Sequence, residues 1–231
     1  MTLDIYVVEH PRSGATWLQR LLSDILRAPL YPGVGVTGEY EPQYWGEGKP
    51  GKDFAIYKSH SRTRQGKTIF VYRDPRDVFV SAWKYNNRTN LTLYEKIEKY
   101  LTQDDYDPDQ IQYGRYAGFM SIWYKTGLAE ASVRYEDLHV RPTATIGRAI
   151  EQVAGVRVST MDINNAYFRH EFGHELSIHP ELTHSMWKGK IGNWREYFTR
   201  READLVQNYL GDLMYDQGYI TGPDWVHELG A

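Results

Sequence analysis

The stretch Glu9-His10-Pro11-Arg12-Ser13-Gly14-Ala15-Thr16-Trp17 gathers a cation, two hydroxyls and a glycine into one short segment. A tight glycine-containing loop lays successive backbone N–H groups around one point, and a helix starting directly after it adds the positive end of its dipole. Arg12, Ser13 and Thr16 address that same point, and the N–H groups of Gly14 and Ala15 belong to it. The segment therefore reads as a phosphate cradle. Two further stretches are rich in charge, Lys58-Ser59-His60 and Arg73-Asp74-Pro75-Arg76-Asp77.

The surrounding periodicity places all three. Ile5, Val7 and Val8 form an apolar, β-branched run before the loop, and Leu18, Leu21, Leu22, Ile25 and Leu26 follow it at helical spacing. Phe54-Ala55-Ile56-Tyr57 reads as a short buried strand delivering Lys58-Ser59-His60, and Thr68 to Tyr72 as another ending at Arg73. Asp74 as N-cap and Pro75 as first helical residue start a helix through Val78, Val80, Ser81 and Trp83. Helical spacing continues over Leu91 to Leu101, Pro108 to Lys125, Pro142 to Ala154, Met161 to Phe168 and Arg201 to Asp216, with a strand over Ala131 to Tyr135. Glu136 and Asp137 are read as structural, capping the turn after that strand. Pro29 to Lys52, with four prolines and six glycines, is too broken for regular structure, and Gly173 to Phe198 is loop-rich. Strands alternating with helices predict an α/β sandwich around a mostly parallel sheet, whose ligands sit beyond the strands' carboxyl ends. The three charged stretches all fall on that edge.

Composition narrows the function. The 231 residues fit a single domain spanning residues 1–231, large enough for a core without staples. A net charge of −3 argues against a nucleic-acid partner. The absence of cysteine excludes thiolate metal sites and cysteine nucleophiles. No run approaches the roughly 20 apolar residues that span a bilayer, so the expectation is a cytoplasmic protein with no membrane partner.

A nucleoside-triphosphate loop requires Gly-x-x-x-x-Gly-Lys-Ser/Thr, and here one glycine stands without the glycine-lysine pair. The sequence instead resembles the sulfotransferases that use 3′-phosphoadenosine 5′-phosphosulfate (PAPS). His10-Pro11-Arg12-Ser13-Gly14-Ala15-Thr16-Trp17 looks like their Tyr-Pro-Lys-Ser-Gly-Thr-Thr-Trp loop. Lys58-Ser59-His60, Arg73-Asp74-Pro75-Arg76-Asp77 with Ser81, Tyr135-Glu136-Asp137 and Trp187 to Trp194 follow in family order. The resemblance implies a P-loop-containing three-layer sandwich with a mostly parallel central sheet flanked by helices. It implies that Arg12, the loop N–H groups and Thr16 hold the 5′-phosphosulfate. Arg73 and Ser81 would hold the 3′-phosphate with Lys188 and the Gly189 backbone, and Trp17, Phe168 and Tyr113 would contact adenine. His60 would be the general base on the acceptor, since an imidazole with a pKa near ~6.5 can take a proton at neutral pH. Lys58 and Arg12 would stabilise charge on the transferring group and its leaving oxygen. The resemblance implies transfer to a hydroxyl or amine of a small-molecule acceptor, with PAP as the nucleotide product and no metal taking part, and the aromatic stretch from Tyr31 to Trp45 would suit a phenol, a lipid-like alcohol or a sugar ring.

The pattern departs from the family at Ala15, which stands for a threonine, at Arg12 for a lysine and at Trp187 for an arginine. The C-terminal dimer motif of cytosolic members is missing, which leaves the oligomeric state unassigned. A rival motif, His170-Glu171-Phe172-Gly173-His174, fits the His-Glu-x-x-His of zinc metallohydrolases, although Gly173 weakens the helix that motif requires. A non-catalytic nucleotide-binding module is a further alternative, in which Lys58 and His60 would be incidental.

Overall fold

The computed structural model describes residues 2–31, 41–85, 90–103, 115–171, 189–227 and 229. Within them, strands β1 (Leu3–Glu9), β2 (Leu30–Tyr31), β3 (Phe54–Ser59), β4 (Lys67–Tyr72) and β5 (Ala131–Arg134) form one sheet in the order β2-β3-β1-β4-β5. Every pairing is parallel. Helix α1 (Ala15–Ile25) connects β1 to β2, and α2 (Pro75–Tyr85), α3 (Leu93–Thr102) and α4 (Tyr116–Met120) lie between β4 and β5 as parallel pairing requires; α5 (Tyr135–Val140), α6 (Pro142–Ala154), α7 (Thr160–Arg169) and α8 (Arg200–Asp216) follow the last strand. The molecule is the α/β sandwich that the alternation predicts.

Strand periodicity decides which side each residue serves. Ile5, Val7, Ile56, Ile69 and Val71 point into one core with Leu18, Leu21 and Leu22 of α1 and the apolar faces of α6 and α7. Val8 and Phe70 point the other way, against Phe79, Ile97, Phe119 and the inner face of α8. Each of the fully buried Leu and Ile side chains contributes about 1.5–3 kcal/mol relative to exposure. Because both faces are covered, β1 and β4 read as continuous apolar runs rather than alternating ones.

Several boundaries differ from the sequence reading. The strand over Ala131 stops at Arg134, and Tyr135 opens α5, with Glu136 and Asp137 as acidic residues of its first turn. Glu136 reaches beyond that turn: its carboxylate accepts the N–H of Asp74 at 3.1 Å and the hydroxyl of Tyr219 at 2.9 Å. The stretch after Pro29 contains the short β2, because Leu30 and Tyr31 pair with Ile56 and Tyr57. Of the helix expected over Pro108 to Lys125, the described part is α4, which continues as a π-helical turn over Ser121–Lys125. The predicted start of α2 is observed: Asp74 Oδ1 accepts the N–H of Arg76 at 3.0 Å, with Pro75 in first position.

Candidate active site

The register brings the ends of β1, β3, β4 and β5 to one edge: Val8 lies opposite Ser59 and Phe70, and Tyr72 opposite Arg134. The loop after β1 turns through two left-handed residues, Arg12 at φ 78° and Gly14 at φ 109°. Gly14 is required twice over, since a Cβ there would sit 2.4 Å from the Tyr135 ring. A left-handed arginine stores strain of about 1–3 kcal/mol, which marks a backbone held for a purpose.

Each predicted side chain then has a place. Arg12 Nε donates to Ser81 Oγ at 3.1 Å, and its guanidinium lies 4.4 Å from the centre of the Tyr85 ring. The residue assigned to the 5′ end and the residue assigned to the 3′ end are thus in direct contact. Lys58 Nζ donates to Thr16 Oγ1 at 3.0 Å and pairs with the Glu9 carboxylate at 3.2 Å. His60 Nδ1 stands 2.9 Å from the Glu9 carbonyl oxygen. A carbonyl only accepts, so the neutral ring carries its hydrogen on Nδ1 and its lone pair on Nε2.

Arg73 is buried at the end of β4. It donates to the carbonyl of Lys190 at 2.8 Å, faces Asp77 at 3.5 Å and covers the Tyr135 ring at 4.4 Å. Its Nε, like the buried Ser13 Oγ, has no hydrogen-bond partner among the described residues. Asp77 accepts the N–H groups of Gly192 and Trp194 at 2.8 and 2.9 Å, which holds the segment after Gly189 against α2. The Gly189 carbonyl accepts the Tyr135 hydroxyl at 3.3 Å.

Of the aromatic residues expected at adenine, Trp17 and Phe168 fall within the described residues. Trp17 is buried, donates to the His170 carbonyl at 2.8 Å, and meets the rings of Tyr135, His139 and Tyr167. Phe168 is 71% exposed on α7, and its neighbour Tyr167 is the ring that packs on Trp17. Tyr113 and Lys188 lie outside the described residues, as do Trp187 and His174 of the rival metal motif. His170 itself is buried with Nε2 at 3.1 Å from Asp24 Oδ2. Among the described residues, no three His, Asp or Glu side chains are grouped to hold a metal.

The site also contains residues to which the sequence reading gave no role in it. Glu9, at the end of β1, is buried, accepts the Ala15 N–H at 2.8 Å and pairs with Lys58. Lys58, His60 and the Ala15 N–H together hold its carboxyl below the ordinary range against the opposing effect of burial. Tyr135 joins Gly14, Arg73, Gly189 and Trp17. His139 is kept neutral, at about 4, by burial and by the charge of Arg73. The available signal for Glu9 was its position at the carboxyl end of β1, and for Tyr135 its place in the Tyr135-Glu136-Asp137 motif, whereas His139 carried none.

No helix among the described residues is long and apolar enough to cross a membrane. Residues 54–218 match the model of the sulfotransferase domain. The chain is 25% identical to a 3-alpha-hydroxysteroid sulfotransferase of Cavia porcellus over 91% of its own length and 83% of the relative's. It is 22% identical to cytosolic sulfotransferase 11 of Arabidopsis thaliana, over 94% and 74% of the two chains. Its fold is similar to that of the mouse sulfotransferase SULT7A1, solved with PAP, at a TM-score of 0.71, 17% identity and coverage of 92% and 84%. With its charged loops gathered at the edge where the alternating elements predict a ligand, and with more than half its length matched by that model, the chain belongs to the sulfotransferase family.

Proposed function

We propose that this protein transfers the sulfuryl group of PAPS to a hydroxyl or amine of a small-molecule acceptor, leaving PAP, and that residues 1–231 act as one catalytic domain. The observation that carries the reading is the gathering on one sheet edge of the glycine-containing loop after β1, Lys58 and His60 at the end of β3 and Arg73 at the end of β4, where the buried Ser13 Oγ and Arg73 Nε have no hydrogen-bond partner among the described residues. Two anion-seeking positions joined through Arg12 and Ser81 suit a nucleotide with phosphate at both its 5′ and 3′ positions. When bound, PAPS supplies an activated sulfuryl group and a phosphate leaving group. The loop N–H groups, Ser13, Thr16, Arg12 and Lys58 hold the 5′ end. Arg73, Ser81, Gly189 and Lys188 hold the 3′ end. The resemblance assigns Trp17, Phe168 and Tyr113 to the adenine.

His60 Nε2 takes the proton of the acceptor hydroxyl, since Nδ1 is engaged at the Glu9 carbonyl. Lys58 and Arg12 offset negative charge as it develops on the leaving oxygen. The acceptor is a phenol, alcohol, amine or sugar, the protein works in the cytoplasm, and chelators leave the rate unchanged. The test is transfer of labelled sulfate from PAPS across a panel of phenols, alcohols, amines and sugars. His60→Ala is expected to lower transfer by about 10²–10⁴-fold while PAP binding persists. Transfer at the normal rate in that variant would refute the histidine base, and no transfer by the wild type to any acceptor would refute the reaction.

A further inference from the structure

The carboxylate of Glu9 occupies donors that the proposed nucleotide needs. Its Oε2 takes the single hydrogen of the Ala15 N–H at 2.8 Å, and its Oε1 lies 3.2 Å from Lys58 Nζ, which also donates to Thr16 Oγ1. The side chain is 3% exposed, and the two groups it holds come from opposite sides of the cradle, the first turn of α1 and the end of β3. An N–H has one hydrogen, so Ala15 serves either this carboxylate or an incoming phosphate oxygen. A buried negative charge beside the cradle also repels a second one.

We propose that Glu9 is a resident anion, keeping the cradle assembled without nucleotide and competing with the 5′-phosphate for Ala15 N–H and Lys58, so that it sets nucleotide affinity. The inference rests on the 5′-phosphate reading of the loop. It differs from a plain structural role in sign. A carboxylate that merely braces the loop strengthens nucleotide binding, whereas a competing carboxylate weakens it.

The experiment is calorimetric titration of PAP into the wild-type protein, Glu9→Gln and Glu9→Thr, with thermal melts of each. Removing the competing charge is expected to tighten PAP binding by about tenfold or more, a difference near 1.4 kcal/mol. In steady-state assays the same variants should lower KM for PAPS by a larger factor than they change kcat. Unchanged or weaker PAP binding in a folded variant overturns the proposal. Failure of the wild type and both variants to bind PAP overturns the 5′-phosphate reading, and the proposal with it. Should the variants not fold, the crystal structure of the wild type with PAP decides: a Glu9 carboxylate moved off Ala15 supports the competition, and one still seated there overturns it.

Discussion

Gly14 carries the strictest demand of any residue at the edge. Its φ of 109° disfavours any side chain, and the Tyr135 ring fills the space a Cβ would need. Gly14→Ala is therefore expected to cost roughly 2–4 kcal/mol in urea unfolding, the sum of backbone strain and overpacking, and to weaken PAP binding through the displaced loop. A wild-type midpoint would show that Tyr135 yields easily. At this scale polar contacts follow residue type, while the facing of rings follows helix rotation. Lys58, Thr16, Arg12 and Ser81 meet as their types suggested, because charge and hydrogen bonding are written in residue identity. Whether Tyr167 or Phe168 turns toward Trp17 depends on the rotation of α7 about its axis, and two adjacent aromatics in sequence leave that choice open.

Elements transmit the site's geometry through a few clasps. Asp77 joins α2 to the segment at Gly192 and Trp194, and Arg73 fastens the same segment through the Lys190 carbonyl. Asp77→Asn keeps the shape but turns one of its two accepting oxygens into an NH2 donor, so that only one of the Gly192 and Trp194 N–H groups keeps its acceptor. It is expected to destabilise by about 1–3 kcal/mol and to weaken PAP binding as the segment detaches. Unfolding curves with PAP titrations measure both effects, and an unaltered PAP affinity would mean that the segment does not need this anchor. Helix starts such as Asp74-Pro75 were legible because capping is local chemistry. Tyr135 was misplaced by one element because its aromatic side chain suits a strand, while the acidic pair after it starts a helix.

For the whole molecule, burial of histidines forecasts acid sensitivity. His10 and His139 are pushed down to about 3 and about 4, by burial first and then by the nearby charges of His60 and Arg73 respectively. The unfolded chain binds these protons near ~6.5 and the folded chain refuses them, so stability falls as pH drops below that value. Burial holds Asp77 and Glu136 above their ordinary values, and they pull the other way in the lower part of the window. Urea midpoints from pH 7.5 to 5 should decline, and His139→Phe should remove about one proton from the slope. A slope unchanged by that variant would show that His139 is not buried neutral. The sequence by itself determined the class of fold, the edge that carries the chemistry and the family resemblance. Apolar periodicity, caps and short polar motifs are local properties, readable along the chain. Tertiary structure alone decided that Glu9 lies inside the cradle, that Tyr135 closes over Gly14 and Arg73, and that Arg12 touches Ser81. Those contacts join residues far apart in the chain, and their geometry follows from sheet register and helix rotation, which no single segment encodes.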